Sequence, residues 1–257
     1  MFDLKNKTAI VTGGGSGIGR AIAKLFAQQE AKVFILDYDE AGADNVIEEI
    51  KATSGSAHAF KCDVSDQQQV KDIVATIHAE TNSIDILVNN AGVAHIGNVE
   101  NTSEQDITRL FNINVKGVYN LLYSAVPLMK EKGGAIVNLA SVASAVGIPD
   151  RFAYSMTKGA VVGMTLSTAK DYINYKIRCN CISPARVHTP FVDGFLAKNY
   201  PGKEQEMFEK LSKTQPIGRM ANPVEIAYLV LYLCSDEASF ITGCDYPIDG
   251  GFIKLNN

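Results

Sequence analysis

The sequence lacks the cysteine and histidine spacing that a zinc site requires. It contains five cysteines, an odd number, and no CxxC pair. Its four histidines show no ligand spacing either. This usage predicts free, mostly buried thiols in a reducing cytoplasm and no metal site.

The chain also lacks long apolar runs and clusters of basic charge. No stretch approaches the length of a membrane span, and residues 1–5 do not resemble the core of a signal peptide. The formal net charge is −4 without a basic patch, which argues against a nucleic acid as partner. Hydrophobic residues make up 46% and charged residues 20% of the chain, so we expect a folded protein with a sizeable core.

Strand and helix patterns alternate along the whole sequence of 257 residues. Seven apolar strands are predicted, at residues 9–11, 32–36, 57–61, 84–88, 135–139, 177–182 and 245–248. We find no linker, repeat or low-complexity tract. The repeated βα units therefore predict one α/β domain over residues 1–257, a Rossmann-type doubly wound parallel sheet with helices on both faces. Ligands of such sheets bind at the carboxyl ends of the strands.

Two of the predicted helices carry start signals. Ser65 and Gln68 have the spacing of a capping box. Asn222, Pro223 and Glu225 supply a cap, a first-turn proline and a first-turn acid in the right order. Both segments are therefore predicted to begin helices.

A glycine-rich turn follows the first predicted strand. Residues 12–19 read Thr-Gly-Gly-Gly-Ser-Gly-Ile-Gly and lead into apolar residues at helical spacing. Glycines permit close approach of a pyrophosphate, and a helix N-terminus offers free N–H donors and the positive end of its dipole. Tight βα turns also collect glycine for steric reasons alone. The turn thus indicates a nucleotide site while leaving a purely steric role open.

Asp37 ends the second predicted strand. A carboxylate there can accept both ribose hydroxyls of an adenosine and would repel a 2′-phosphate. Ser16, rather than a Lys or Arg, precedes Gly17. Both features predict NAD rather than NADP as cofactor; the alternative is that Asp37 only begins a loop.

Candidate catalytic side chains follow the fifth predicted strand. Ser141 comes directly after it, and Tyr154 and Lys158 are spaced to share one face of a helix. A nearby ammonium should lower the pKa of the phenol from its usual value of about 10, which would suit a general acid or base acting on an alcohol–ketone pair. Ser141 could hydrogen-bond the same substrate oxygen. A surface Tyr and Lys on a helix is the alternative, since this spacing is common by chance.

These motifs, taken in their order and spacing, resemble the short-chain dehydrogenase/reductase family. The resemblance runs from about Lys5 to Gly251 and rests on the turn at residues 12–19, Asp37, residues 89–92, Asn114, Ser141, Tyr154 and Lys158. It implies an oxidoreductase in which a hydride passes directly between a substrate carbon and a nicotinamide.

The resemblance also implies residue roles. Tyr154 would exchange a proton with the substrate oxygen, Ser141 would orient that oxygen, and Lys158 would bind the nicotinamide ribose and tune Tyr154. Asn114 would hold a water that links Lys158 to solvent. The cofactor-binding residues implied are Gly13, Ser16, Gly17, Ile18, Gly19, Asp37, Asp63, Val64, Asn90, Ala91, Gly92, Tyr154, Lys158, Val187 and Thr189.

Two arginines are candidates for binding a substrate carboxylate. Arg151 precedes Tyr154 on the loop that lines the substrate pocket in the family, and Arg186 follows the sixth strand beside the nicotinamide site. Guanidinium groups bind carboxylates bidentately. We therefore expect a substrate with a carboxylate several bonds from the reacting carbinol; pairing with local acids such as Asp150 is the alternative. Arg219 is a weaker third candidate, since Gly-Arg is common at that place in the family.

Residues 185–194 resemble the family branch that contains 2-keto-3-deoxy-L-fuconate dehydrogenases and type-2 hydroxybutyrate dehydrogenases. We therefore expect NAD-dependent hydride transfer at a secondary alcohol or ketone of a deoxy-keto sugar acid or hydroxy acid. His188 and Asp193 could meet sugar hydroxyls. The alternatives are a 3-oxoacyl-(acyl-carrier-protein) reductase, a neutral sugar or polyol dehydrogenase, and a non-catalytic NAD-binding sensor.

Residues 190–215 carry apolar side chains at roughly helical spacing. They are predicted to form a small helical lid whose closure would exclude water from the substrate; a packed surface helix pair is the alternative. The resemblance further implies a homotetramer that pairs the helices around residues 111–130 and 154–175, although core packing explains their apolar faces equally well.

Overall fold

A computed structural model describes residues 2–255. One parallel sheet contains β1 (Thr8–Thr12), β2 (Lys32–Asp37), β3 (Ser56–Lys61), β4 (Ile86–Asn89), β5 (Gly134–Leu139), β6 (Ile177–Pro184) and β7 (Asp245–Ile248). The strand order is β3-β2-β1-β4-β5-β6-β7, and every neighbouring pair is parallel. The predicted doubly wound sheet is confirmed. Its order reverses between β1 and β4, which is where such sheets bind ligands.

Helices cover both faces of this sheet. They are α1 (Gly17–Gln28), α2 (Glu40–Lys51), α3 (Gln67–Thr81), α4 (Glu104–Leu110), α5 (Gly117–Met129), α6 (Phe152–Tyr172), α7 (Pro190–Asn199), α8 (Glu204–Ser212), α9 (Pro223–Cys234) and α10 (Phe252–Leu255). Among the described residues, no helix is both long and apolar enough to span a membrane.

The sheet separates two hydrophobic cores. Residues of β1 alternate between them, because successive side chains of a strand point to opposite faces. Val11 packs with α1, α2 and α9 on one face, whereas Ile10 packs with α3, α5 and α6 on the other. Burial on both faces explains why the strands read as continuous apolar runs rather than as alternating patterns.

One of the two predicted helix starts is wrong. Helix α3 is capped by Asp66, whose Oδ1 accepts the N–H groups of Gln68 and Gln69 at 3.0 and 3.1 Å. The hydroxyl of Ser65 instead donates to Asp63 Oδ1 at 2.7 Å, because the helix begins one residue later than the Ser65–Gln68 box requires.

The second predicted helix start is confirmed. Pro223 is the first residue of α9, and Glu225 Oε2 accepts the Asn222 N–H at 2.8 Å. The carboxylate thus satisfies a donor at the N-terminus of the helix, as the sequence pattern predicted.

The five cysteines are free, and four of them are buried. Burial raises the pKa of the Cys62 thiol to about 12, with the same direction for Cys179 and Cys181. The prediction of free, mostly buried thiols is confirmed, and these groups are poor nucleophiles at neutral pH.

Candidate active site

A cavity of about 830 Å³ opens at the carboxyl ends of the strands. One end is lined by Asp37, Asp63 and Val64, and the other by Tyr154 and Lys158. The remaining predicted site residues that line it are Gly13, Ser16, Gly17, Ile18, Asn90, Ala91, Gly92, Ser141, Arg151, Arg186, Val187 and Thr189. Two predicted site residues, Gly19 and Asn114, lie behind the cavity wall rather than in it. The volume is in the range of small-molecule sites.

The side chains of Thr12 and Asn90 join the glycine turn to the end of β4. The Thr12 hydroxyl accepts the N–H groups of Asn90 and Ala91, both at 3.0 Å. In return, the Asn90 amide donates to the carbonyls of Thr12 and Gly13 at 2.9 and 3.0 Å. A Cβ at Gly19 would overlap the Gly13 carbonyl. This last glycine is therefore required by packing within the turn, which is the steric role that the sequence left open.

The start of helix α1 faces the cavity with free donors. Ser16 is its N-cap residue and, within the described chain, makes no side-chain cap hydrogen bond. The first N–H groups of an α-helix have no intrahelical partner. Since Ser16, Gly17 and Ile18 line the cavity, these donors and the positive end of the helix dipole form a fitting site for an anion such as a pyrophosphate.

The Asp37 carboxylate lies at the far end of this turn. Its Oδ2 accepts the Gly15 N–H at 2.7 Å, and its Oδ1 accepts the Asp39 N–H at 2.9 Å. A carboxylate oxygen has further lone pairs, so both oxygens can still accept hydroxyl donors. The basic residues that line the cavity, Lys158, Arg151 and Arg186, are at the opposite end.

Tyr154 and Lys158 lie one turn apart on α6, but they do not contact each other in the predicted way. Lys158 Nζ is 5.7 Å from the centre of the Tyr154 ring and donates to the Leu139 carbonyl at 2.6 Å. Desolvation raises the pKa of the Tyr154 phenol, although a hydrogen bond with Ser141 acts in the opposite direction. The prediction that Lys158 lowers this pKa is therefore wrong for the chain alone, because burial outweighs any effect of the ammonium. Burial also lowers the pKa of Lys158 to about 8.

Asn114 lies in a π-helical segment, Phe111–Lys116, between α4 and α5. Its Oδ1 accepts the Val93 N–H at 2.8 Å, and its Nδ2 donates to the Val93 carbonyl and to Thr157 Oγ1. A Cβ placed on Gly92 would lie 3.2 Å from Asn114 Oδ1 and 3.6 Å from Lys158 Nζ. Gly92 therefore separates the two side chains, and π-helical segments of this kind are frequent at functional sites.

Arg151 reaches the cavity from a turn that is pinned to the loop after β4. The Gly97 N–H donates to the Asp150 carbonyl at 3.0 Å, and the Phe152 N–H donates to the Gly97 carbonyl at 3.1 Å. Asp150 adopts a positive φ of 56° in this turn. Arg151 Nη1 donates to the Asp150 carbonyl rather than to its carboxylate, so the alternative of a local ion pair is not observed.

Arg186 approaches the same end of the cavity from the end of β6. Its Nε donates to Thr214 Oγ1 at 3.0 Å. Burial and the positive charge of Arg151 both lower the pKa of the Arg186 guanidinium. Within the described residues, neither arginine forms an ion pair with a carboxylate. The two guanidinium groups therefore concentrate uncompensated positive charge beside Tyr154.

Two weaker candidates lie outside this cavity. Arg219 forms a bidentate pair with Glu225, with both N–O distances at 2.7 Å. His188 Nε2 is 2.8 Å from Asp193 Oδ1, and its ring packs edge-on against Phe208. None of these side chains lines the cavity that contains Tyr154, so the structure does not bring them to the predicted substrate.

The predicted lid region, residues 190–215, contains helices α7 and α8. Phe191, Phe195 and Leu211 from these helices line the cavity. Gln215 also lines the cavity, and no local motif in the sequence marks it. Thr12 belongs to the predicted glycine turn, but the sequence does not show that its hydroxyl accepts the N–H groups of Asn90 and Ala91.

Comparisons with known proteins agree with this geometry. A parallel sheet with a glycine turn at its switch point is typical of dinucleotide-binding folds. The family described as enoyl-(acyl carrier protein) reductase matches residues 13–253. The chain belongs to the short-chain dehydrogenase/reductase family, and it is an oxidoreductase acting on CH–OH groups. Members of the family normally bind a nicotinamide cofactor.

Several curated relatives cover nearly the whole chain. An uncharacterised oxidoreductase of Thermotoga maritima is 40% identical and covers 97% of this chain and 98% of its own. A 2-keto-3-deoxy-L-fuconate dehydrogenase of Xanthomonas campestris is 38% identical over 97% of this chain and 81% of its own. A 3-oxoacyl-[acyl-carrier-protein] reductase of Thermotoga maritima is 36% identical over 97% and 99%.

Solved structures show the same fold. The aldohexose dehydrogenase of Thermoplasma acidophilum superposes with a TM-score of 0.88 at 34% identity, covering 97% of this chain and 94% of its own. Levodione reductase superposes with a TM-score of 0.92 at 33% identity, covering 96% and 97%. The named relatives act on chemically different substrates, so substrate class must be argued from this cavity.

Proposed function

We propose that this protein is an NAD-dependent dehydrogenase that acts on a secondary alcohol or ketone of a carboxylate-bearing substrate. A deoxy-keto sugar acid or a related hydroxy acid fits this description. The observation that carries the proposal is the convergence of Arg151 and Arg186 on the catalytic end of the cavity without a carboxylate partner in the described chain. A similar protein is named 2-keto-3-deoxy-L-fuconate dehydrogenase, which supports the sugar-acid form of the proposal.

The cavity fits a nicotinamide dinucleotide in shape and in chemistry. The first N–H groups of α1 face its middle, where a pyrophosphate would bind, and Asp37 occupies the end expected for the adenosine ribose. No Lys or Arg lines the cavity near Asp37, so a 2′-phosphate would meet a carboxylate without a compensating cation. This supports NAD over NADP. When bound, the nicotinamide would supply or accept the hydride.

The residues at the end that contains Tyr154 would transfer the proton to or from the substrate oxygen. Tyr154 would exchange it with the substrate oxygen, and Ser141, which is linked to Tyr154, would orient that oxygen. The raised pKa of the phenol keeps Tyr154 protonated in the chain alone. Lys158 would bind the nicotinamide ribose, and Asn114 would fix the backbone of Val93 behind it.

The two arginines would bind the carboxylate. Placing like charges in a poorly solvated wall is unfavourable, and an anion between them would offset that cost. Arg186 uses Nε for Thr214, so the edge formed by its two Nη atoms remains for a bidentate contact. This arrangement favours an acid over the aldohexoses and acyl-carrier-protein thioesters that other relatives are named for.

We further propose that residues 1–257 form one domain and that the protein assembles as a homotetramer in the cytoplasm. Large side chains on α5 and α6 are exposed, among them Tyr119, Tyr123, Met156 and Leu166. They support pairing of the helices around residues 111–130 and 154–175. The free cysteines support a reducing compartment.

The test is turnover of hydroxy acids and their neutral analogues with NAD⁺ and with NADP⁺, for the wild type, Arg151→Ala and Arg186→Ala. Removing one partner of a desolvated charge contact costs several kcal/mol, so kcat/KM on the acids should fall by about 30-fold or more. Turnover of the neutral analogues should change little. Arg219→Ala is the matched control, because its guanidinium already pairs with Glu225 outside the cavity. Equal losses on acids and neutral analogues would reject the carboxylate site.

A further inference from the structure

Arg186 is held by the segment that follows lid helix α8. Its Nε donates to Thr214 Oγ1 at 3.0 Å, and its backbone N–H lies 3.5 Å from Gln215 Oε1. Gln215 is only 3% exposed and lines the cavity together with Leu211, the penultimate residue of α8. The side chain predicted to bind the carboxylate is thus anchored by a segment distant in sequence rather than by its own loop.

The hydroxyl of Thr214 uses all of its hydrogen-bonding positions in this arrangement. Its single hydrogen is donated to the Leu211 carbonyl at 2.6 Å. The oxygen must therefore act as acceptor toward Arg186 Nε and toward Gln215 Nε2, the latter at 2.9 Å. A hydroxyl has one donor and two acceptor sites, and all three are used. The direction of the guanidinium is consequently fixed through the last turn of α8.

We propose that Thr214 is a positioning residue that aims the Nη edge of Arg186 at the substrate carboxylate and makes this aim depend on the seating of α8. The proposal rests on the proposed function and extends it to the lid. With Nε occupied by Thr214, rotation of the guanidinium about its long stem is restricted, and its two Nη atoms are left for a bidentate contact. Less side-chain entropy is then lost when the anion binds.

The orientation of Arg186 depends on α8 because Thr214 bonds to both Arg186 and Leu211. The Leu211 carbonyl belongs to the last turn of α8. It accepts the hydroxyl hydrogen of Thr214 and so fixes the direction in which that hydrogen points. Movement of this turn away from the cavity would break the bond to Leu211 or the bond to Arg186. Arg186 is therefore correctly oriented only while the last turn of α8 keeps its position at the cavity. In that arrangement Gln215 Nε2 also donates to Thr214 Oγ1.

The experiment is a calorimetric titration of butyrate, and of its neutral isostere butyramide, into the protein in saturating NAD⁺. Thr214→Val keeps the shape of the side chain and removes the hydroxyl. Loss of a hydrogen bond to a charged group should weaken butyrate binding by about tenfold while leaving butyramide unchanged within about twofold. Thr214→Ser retains the hydroxyl and should restore butyrate binding to within about twofold of the wild type.

A double-mutant cycle separates positioning from general damage. In an Arg186→Ala background, Thr214→Val should have no further effect on butyrate, since Thr214 acts only through Arg186. Thermal unfolding and NAD⁺ affinity of each variant establish that the fold is retained. Should Thr214→Val unfold, Thr214→Ala serves instead, because it also removes the hydroxyl that accepts from Arg186 Nε, and it should lose the same butyrate affinity.

The outcomes distinguish this proposal from the proposed function. Weaker butyrate binding in Arg186→Ala with an unaffected Thr214→Val would overturn the positioning role and leave the carboxylate site standing. An equal effect of Thr214→Val with and without Arg186 would also overturn it. Unchanged butyrate binding in Arg186→Ala would remove the carboxylate site itself, and the positioning role with it.

Discussion

The two ends of the cavity are built in different ways. At the cofactor end, the turn at residues 12–19 is held by short side chains and backbone groups whose hydrogen bonds are already made, above all by Thr12 and Asn90. At the substrate end, Arg151 and Arg186 place positive charge on a half-buried wall with no carboxylate partner among residues 2–255. The glycine turn of the first end is held by hydrogen bonds within the chain, whereas the positive charge of the second end has no counterpart until an anion binds.

This difference separates affinity for a common cofactor from selection among substrates. A rigid cradle of backbone donors recognises pyrophosphate whatever the substrate, and it requires little side-chain ordering on binding. Long cationic side chains on separate loops can adopt different orientations in different proteins of the same fold. Enzymes with one fold can therefore act on acids, sugars or thioesters by changes at one end of the cavity.

Tyr154 lies at the substrate end, and Tyr154→Phe should have the largest effect. It removes the hydroxyl and leaves the ring in place. General acid–base groups contribute about 10²–10⁴-fold, so kcat should fall by that factor. NADH affinity, measured by the fluorescence of the bound nucleotide, should stay within about twofold because the cradle is untouched. Retained turnover would refute the proton-transfer role.

The cofactor end should respond to Thr12→Val mainly in stability. The substitution leaves the N–H groups of Asn90 and Ala91 without their acceptor inside the protein. An unsatisfied buried donor costs about 1–3 kcal/mol, and because these two N–H groups are only partly buried, the free energy of unfolding in urea should fall by roughly 2 kcal/mol. Thr12→Ser keeps the acceptor and should lose much less. Equal stability of the Val and Ser variants would show that the cradle is held by other contacts.

The sequence predicted the strands and the turn that surround the cofactor end because their signals are local. The first two strands, the glycine turn and Asp37 follow one another along the chain, and periodicity and glycine content are enough to place them. The seven predicted strands also match the observed sheet to within about two residues at each end, as is usual for element boundaries.

The substrate end could not be predicted to the same depth, because its contacts join distant parts of the chain. Nothing near Arg186 in sequence indicates Thr214, and nothing near Arg151 indicates Gly97. The pKa of Tyr154 was predicted in the wrong direction for a related reason: helical spacing shows that Lys158 is near, but it does not show how far both groups are desolvated.

Burial of Lys158 gives the next prediction, on the pH dependence of stability. Its pKa is lowered from 10.5 to about 8 in the folded chain. Between these values the unfolded state binds more protons than the folded state, so stability should rise with pH across this window. From pH 8 to pH 10 the cofactor-free wild type should gain about 2 kcal/mol relative to Lys158→Met, which has no charge to lose. If the free energy of unfolding of the two proteins changed equally between pH 8 and pH 10, the lowered pKa of Lys158 would be contradicted.

The smallest expected effect is a change of cofactor preference, which sharpens the comparison because it concerns Asp37, the charged side chain proposed to contact the adenosine ribose. Asp37→Ala removes the acceptor for the ribose hydroxyls and the repulsion of a 2′-phosphate. The ratio of kcat/KM for NAD⁺ to that for NADP⁺ should fall by about tenfold, the scale of one hydrogen bond to a charged group.

Asp37→Asn is the matched control for that change, because its side-chain oxygen can still accept the Gly15 N–H that Asp37 Oδ2 accepts at 2.7 Å. The Asn variant should keep the Gly15 contact while losing the negative charge and the contact with the Asp39 N–H. If the ratio of kcat/KM values falls in both variants, the charge of Asp37 determines the cofactor preference. If it falls only in the Ala variant, the shape of the turn determines it. An unchanged ratio in both would show that Asp37 serves only to hold the turn, and the two ends of the cavity would then differ in their fixed hydrogen bonds alone.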